Sequence, residues 1–101
     1  MNITIADPHQ DYPSHVRDSV EARLETLGRF HGRVSRISVT LGRQRTDHHV
    51  ELVAHVAGGG TLVADVRREE FSEAFDEAMD RMATQLRKAH DKLVDRHHAR
   101  R

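Results

Sequence analysis

The residue type in this 101-residue chain best suited to chemistry is histidine, which occurs nine times, yet the spacing does not form a metal site. His48–His49 and His97–His98 are adjacent pairs, and neighbours on a strand point to opposite faces. His90 and His97 have no established ligand spacing, and the chain has neither a cysteine nor an HExxH motif. We therefore expect surface histidines, with no bound metal and no other cofactor. Metal binding through histidine remains an alternative that metal analysis of untagged protein would decide.

Other reactive residue types lack the surroundings that catalysis needs. The carboxylates lie on the solvent sides of the expected helices, away from any apolar pocket that would raise a pKa. The serines stand in no recognisable nucleophile motif. The run Gly58–Gly60 lacks the lysine and helix that follow a phosphate-binding loop, so it predicts a hairpin turn. The sequence thus indicates a protein that is not an enzyme, with no catalytic residues and no small-molecule substrate.

A row of positive charge is the more specific pattern, in the stretch from Phe71 to His98. At 100° per residue, Arg81, Lys88 and Lys92 fall on one flank of an apolar stripe, with Gln85 among them. The aspartates fall on the back of the same helix: Asp76, Asp80 and Asp91. Complementing the helix dipole would explain basic residues near the end, but not Arg81 in the middle. A one-sided cationic row suits a polyanion such as an RNA backbone.

Two helices are expected to position this row. The longer one begins near Glu70, and its apolar residues recur at three- and four-residue steps. The shorter one begins near Pro13 or Ser14 and carries Arg23 at the edge of its apolar face. We expect it to end at Gly28, with Phe30 folding back. The two apolar stripes comprise Val16, Val20, Leu24 and Leu27, and then Phe71, Phe75, Ala78, Met79, Met82, Leu86, Ala89 and Leu93.

Four stretches show the alternation of strands. They are Asn2–Asp7, Arg33–Gly42, His48–Ala57 and Thr61–Arg68, with a polar connection at 43–47. The order is β-α-β-β-β-α, an α+β fold in which the last three strands form an antiparallel meander and the first pairs parallel with one of them. Both helices should cover one face of a four-stranded sheet. The other face should be open to solvent and carry Arg36, Ser38, Thr40, His49, Glu51 and His55.

Length and composition predict one domain, spanning 1–101, with the cytoplasm as the expected location. There is no apolar run of 18 residues, and the start MNITIADPHQ is unlike a signal peptide. The absence of cysteine is compatible with a reducing compartment. Formal charge is zero, with 16 residues of each sign, so RNA binding requires that the charges be segregated in space.

Local motifs resemble those of the short ribosome hibernation-promoting factors, also called ribosome-associated inhibitors or sigma-54 modulation proteins. The similar stretches are HVAGGGTLVADV and EEFSEAFDEAMDRMATQLRKAHDKL. Within them, the aromatic helix start is Phe71, followed by Asp76, Asp80-Arg81-Met82, Gln85-Leu86 and the stretch 88–93. The resemblance covers residues 2–96 and implies a layout like that of double-stranded RNA-binding domains (dsRBD-like). The long members' C-terminal dimerisation domain has no counterpart in this sequence.

The resemblance implies a stress or stationary-phase factor that binds the 30S subunit near the decoding centre and blocks the mRNA and tRNA sites. It assigns contacts with 16S rRNA to Arg23, Arg81, Lys88 and Lys92, which we expect to border one groove. A monomer is expected away from the ribosome. Thr84 and His90 stand where the family commonly has basic residues, which weakens the patch. The alternative is a protein-interaction module of the same fold that has lost RNA affinity.

Overall fold

The computed structural model describes the backbone of residues 1–99 and the side chains of residues 1–92. Its elements follow one another in the order that the sequence predicts, which confirms the β-α-β-β-β-α arrangement. They are β1 (Asn2–Ala6), α1 (Ser14–Phe30), β2 (Val34–Gln44), β3 (Asp47–Val56), β4 (Gly60–Arg68) and α2 (Phe71–Ala99). No helix in residues 1–99 combines the length and the apolar character needed to cross a membrane.

The strands form one sheet in the order β1-β2-β3-β4. β1 runs parallel to β2, with Ile3 beside Ile37, because α1 carries the chain back to the end at which β1 began. β2, β3 and β4 form the expected antiparallel meander, in which Leu52 lies between Val39 of β2 and Ala64 of β4. Alternate residues of all four strands therefore place apolar side chains on one face of the sheet.

Both helices cover that apolar face, as the sequence predicts. α1 packs over β1 and β2, whereas α2 packs over β3 and β4. Leu24 of α1 and Met82 of α2 are both 0% exposed. Burying a side chain of this size contributes about 1.5–3 kcal/mol, so the apolar stripes are what fix each helix on the sheet. The charged flanks of each helix are then positioned by the strands beneath it.

α1 ends later than the sequence predicts. Gly28 lies inside the helix, which continues to Phe30, and the ring of Phe30 is 80% exposed instead of folding back onto the core. The flexible end of the Met1 side chain lies against Gly28. The helix is closed by His31, whose backbone N–H donates to the carbonyl of Gly28 at 3.3 Å.

The hairpin between β2 and β3 is also longer than predicted. Gln44 pairs with Asp47, so the turn consists of Arg45 and Thr46 alone. Arg45 adopts a left-handed conformation, with φ of 58°. The hairpin tip is exposed and buries no apolar side chains, so the hydrophobic alternation that identifies the strands stops before the strands do.

Tyr12 fastens the loop between β1 and α1 to this hairpin. Its hydroxyl lies 3.0 Å from the carbonyl oxygen of Gly42 and 2.6 Å from Nδ1 of His48. Because a carbonyl can only accept, the hydroxyl donates to Gly42, and its oxygen accepts from Nδ1–H of His48. The carboxylate of Asp7 accepts the backbone N–H of Tyr12 at 3.0 Å. Burial, reinforced by the charges of Asp11 and Asp7, raises the pKa of Tyr12 to about 12.

The second sheet face carries the polar residues that the sequence assigns to it, and in the described part of the chain no helix packs there. Arg36 and Thr40 are exposed. The other predicted residues of this face, Ser38, His49, Glu51 and His55, are half-buried. Their partial burial comes from one another and from β4, where Asp65 contacts the ring of His49. Val63 lies in the same face and is 48% exposed.

Candidate nucleic-acid interface

The predicted cationic row lies along the outer flank of α2, above the edge strand β4. Arg81 donates to the backbone carbonyl of Asp65 at 3.4 Å, and Gln85 donates to that of Val63 at 2.7 Å. Residues four apart on a helix share a face, while alternate carbonyls of an edge strand point outward, so the two side chains meet two successive outward carbonyls. The first residues of the row, Arg81 and Gln85, therefore cover the exposed edge of the sheet.

Arg81 also shares a carboxylate with a residue of β4. Glu77 accepts two hydrogen bonds from Arg68, at 2.7 and 2.6 Å, and lies 2.8 Å from the guanidinium of Arg81. Two positive charges and one negative charge leave this group with a net charge of +1. The sequence places Arg81 in a row free of acids. In the structure, the negative charge of Glu77 compensates one of the two positive charges of Arg68 and Arg81.

Lys88 and Lys92 form the less compensated end. Both are exposed, and neither lies within 4.0 Å of a carboxylate among the side chains of residues 1–92. They line a cavity of about 370 Å³ together with Gln85, Ala89, Leu62 and the turn residues Gly58 and Gly59. The cavity places two ammonium groups beside a glycine turn, in a concave surface that the backbone of a nucleic acid can approach.

The glycine turn is shaped to lie against the helix. Gly58 and Gly60 have φ of 76° and 78°, which glycine adopts without strain. A Cβ at Gly59 would lie 3.0 Å from a methyl carbon of Val56 and 3.7 Å from the Cβ of Ala89. A side chain here would crowd Val56 and would fill the space between the turn and Ala89 of α2. The glycines therefore allow the turn to lie close to the helix that carries the lysines.

Arg23 does not join this row. It contacts Asp76 at 2.6 Å and lies over the ring of Phe75, 4.8 Å from its centroid. Asp76 therefore faces α1, although the sequence places it on the back of α2. The row of Arg81 contacts β4, whereas Phe75 and Asp76 contact α1, so the two sets lie on different sides of α2. The shared groove expected from the sequence is not formed.

The roles of Arg68 and Glu77 are not among those predicted from the sequence. Arg68 is the last residue of β4, and only two residues separate it from α2. An arginine at the end of a strand and close to the start of a helix is the sequence signal for its role. Glu77 stands four residues before Arg81, which is the spacing of a helical ion pair. Among the described residues, no group of three or more histidine, aspartate or glutamate side chains is arranged to hold a metal ion.

Residues 3–94 match the model of the family described as Sigma 54 modulation protein / S30EA ribosomal protein. The chain belongs to this family. The match confirms the resemblance seen in the motifs, and it extends through the β4–α2 segment that forms the cationic row.

Curated relatives in this family carry the name ribosome hibernation promoting factor. The protein from Azotobacter vinelandii is 27% identical over 101 residues, which cover 100% of this chain and 94% of the relative. The protein from Escherichia coli K12 is 27% identical over 93 residues, which cover 92% of this chain and 97% of the relative. The lengths of both relatives are therefore nearly fully matched.

Solved structures share the fold. A ribosomal subunit interface protein from Coxiella burnetii superposes with a TM-score of 0.77 at 20% identity, covering 87% of this chain and 96% of that one. The N-terminal domain of Protein Y from Thermus thermophilus superposes with a TM-score of 0.75 at 25% identity, covering 87% and 98%. These structures carry the same β-α-β-β-β-α fold.

Proposed function

We propose that this protein is a ribosome hibernation factor, which binds the 30S subunit near the decoding centre through 16S rRNA and blocks the mRNA and tRNA sites. Family membership and the names of the curated relatives support the ribosome as the partner. The single structural observation that carries the RNA-binding mechanism is the concave surface formed by Lys88, Lys92 and the Gly58–Gly59 turn. This role places the protein in the cytoplasm, as a monomer when it is off the ribosome.

The mechanism is electrostatic and requires no catalytic group. Lys88 and Lys92 bind phosphates of the rRNA backbone, and Arg81 joins them with the net charge that Glu77 leaves to its group. Phosphate contacts position a protein without reading the sequence, so the shape of the folded rRNA selects the site. Arg23 contributes at a second point, because its pairing with Asp76 is exposed on both sides, at 47% and 59%, and a phosphate can compete for it.

Co-sedimentation with purified 30S subunits tests this function. We expect the parent protein to bind at about 50 mM salt and to lose affinity steeply by about 200 mM, because each phosphate contact releases a counterion. Lys88→Gln with Lys92→Gln should weaken binding and flatten the salt dependence. The matched control is Arg17→Gln with Arg29→Gln, which removes two exposed charges from α1.

Two outcomes would reject the mechanism. One is the absence of binding at both salt concentrations. The other is equal loss of binding in the lysine variant and the control, which would indicate a dependence on net charge alone. Chemical footprinting of 16S rRNA on the bound subunit tests the site: protection should fall on nucleotides around the decoding centre, and an inhibition assay with a messenger RNA should show competition with mRNA and tRNA.

The open sheet face favours one alternative, a protein-interaction module. It places the exposed Val63 among polar side chains, with His49 and Asp65 in contact beside it. Such a surface suits a protein partner better than RNA, and the zero net charge is in keeping with this. A pull-down from ribosome-free lysate in which Val63→Lys abolishes the capture of one partner would favour this function.

A further inference from the structure

A second cavity, of about 430 Å³, opens where the end of α1, the start of β2 and the middle of α2 meet. Its floor is apolar and includes Val34, Val56 and Leu86, each at most 9% exposed. Small-molecule sites commonly have volumes of about 300–1,000 Å³, with an apolar lining and a few polar groups. The size and floor of this cavity therefore suit a ligand as large as a mononucleotide.

An exposed aromatic ring stands at the rim. Phe30 lines the cavity and is 80% exposed, which the packing of the core does not explain. The backbone that carries it is fixed at both ends of the connection. The backbone N–H of Val34 donates to the backbone carbonyl of His31 at 3.1 Å. The backbone N–H of Ala57 donates to the backbone carbonyl of Arg33 at 2.9 Å. The backbone that follows Phe30 is therefore anchored, and an exposed ring at the rim of a cavity is a surface on which a nucleic-acid base can stack.

Positive groups face the cavity from two elements. Arg33 immediately precedes β2 and Arg87 belongs to α2, and among the described side chains neither lies within 4.0 Å of a carboxylate. Burial, followed by the charges of Arg87 and His90, lowers the pKa of His31. Asp91 adds one carboxylate to the same rim. The balance of the charged lining is therefore positive, which is complementary to a phosphate.

The orientation of a ligand follows from the same charges. The C-terminal end of α1 carries partial negative charge, so it disfavours a phosphate and favours the amino edge of a base. Phe30 belongs to that end, whereas Arg33 and Arg87 lie beyond it. A base near Phe30 and a phosphate near the arginines therefore satisfy the chemistry of both sides.

We propose that this cavity is a nucleotide-binding site, in which Phe30 stacks on the base while Arg33 and Arg87 hold the phosphate. A free nucleotide and an unstacked nucleotide of single-stranded RNA share this chemistry. The site lies apart from the Lys88–Lys92 cavity, and its proposal goes beyond the proposed ribosomal function, on which it does not depend.

Amide NMR spectra of the isotopically labelled full chain test the site directly. AMP should shift amides in 30–34 and 86–90 at concentrations where adenosine and inorganic phosphate alone have smaller effects. Phe30→Ala should weaken binding by roughly 5- to 150-fold, the range found for loss of one base–aromatic stack. Phe30→Tyr keeps a ring and should retain binding. Arg87→Gln should also weaken binding, and Arg29→Gln, outside the cavity, is its matched control.

The source of the ligand is decided by adding the trinucleotide AAA. Tighter binding of AAA than of AMP supports an RNA nucleotide, and equal binding supports a free nucleotide. The proposal is overturned if neither ligand shifts these amides, or if Phe30→Ala binds AMP as tightly as the parent does. Lys88→Gln with Lys92→Gln should leave AMP binding unchanged, so this result is independent of the outcome with 30S subunits.

Discussion

Glu77→Gln should make the fold slightly less stable and RNA binding stronger. Glu77 holds Arg68 by two hydrogen bonds and Arg81 by an ion pair, in a group with a net charge of +1. Glutamine keeps the size of the side chain and removes its charge, so the group becomes +2. The two arginines are then available to phosphates at the cost of their shared partner.

The opposing effects can be sized from the structure. The side chains are between 33% and 52% exposed, and surface ion pairs of this kind contribute about 0.2–1 kcal/mol each, so the free energy of unfolding should fall by about 1 kcal/mol. One further phosphate contact makes the negative slope of log K, the association constant, against log salt steeper by about 0.7–0.9. This corresponds to roughly five-fold tighter binding near 0.1 M salt.

Co-sedimentation with 30S subunits across a salt series measures the second effect, and urea unfolding measures the first. Glu25→Gln on α1 removes the same charge from an exposed position away from the row, so it separates local charge from net charge. Glu77 does not limit phosphate binding if Glu77→Gln binds no better than Glu25→Gln, or if its salt slope equals that of the parent.

Three other substitutions test the structural roles of single side chains. Gln85→Ala removes the hydrogen bond to β4 and should lower the free energy of unfolding by about 0.5–1.5 kcal/mol in urea. Tyr12→Phe removes two hydrogen bonds. The parent should lose stability between pH about 10, the ordinary pKa of tyrosine, and about 12, the folded pKa, while this variant should not. The pKa of His31 is lowered in the folded state, so its contribution to the free energy of unfolding is present above the unfolded pKa and is lost as pH falls through the folded pKa. His31→Gln should therefore reduce the loss of stability below pH about 6.5.

Each of these measurements has a matched comparison. Gln85→Glu keeps an acceptor but no donor at neutral pH, so it should be no more stable than Gln85→Ala. For Tyr12, an alkaline loss of stability that persists in the phenylalanine variant would assign it to other groups. For His31, His9→Gln at an exposed loop position is the control, and equal behaviour of the two variants would contradict the role of burial.

Much of the fold followed from residue periodicity, because alternation and three-to-four spacing report which face of each element is buried. The errors lie where burial stops giving a signal. The hairpin tip at Arg45 buries nothing, so the pattern of the strands ended early. Glycine commonly ends helices, so the sequence predicts the end of α1 at Gly28, but the helix continues to Phe30.

The candidate site was predictable one helix at a time and not between helices. A helical projection placed Arg81 and Lys88 together on one flank, and the structure keeps them on the flank beside β4. It could not show which flank of α2 faces α1, because that depends on the order of the strands. The ion pair between Asp76 and Arg23 therefore could not be predicted from the pattern of either helix alone.

The hydrogen bond from Gln85 to the β4 backbone has a consequence for how this protein behaves at high concentration. An uncovered edge strand is a template on which other chains can grow cross-β fibrils. Here side chains of α2 already occupy outward carbonyls of that edge at Val63 and Asp65. The opposite edge is the five-residue β1, too short to offer a long template. Both edges of the sheet are thereby protected against fibrillar self-association without relying on net charge.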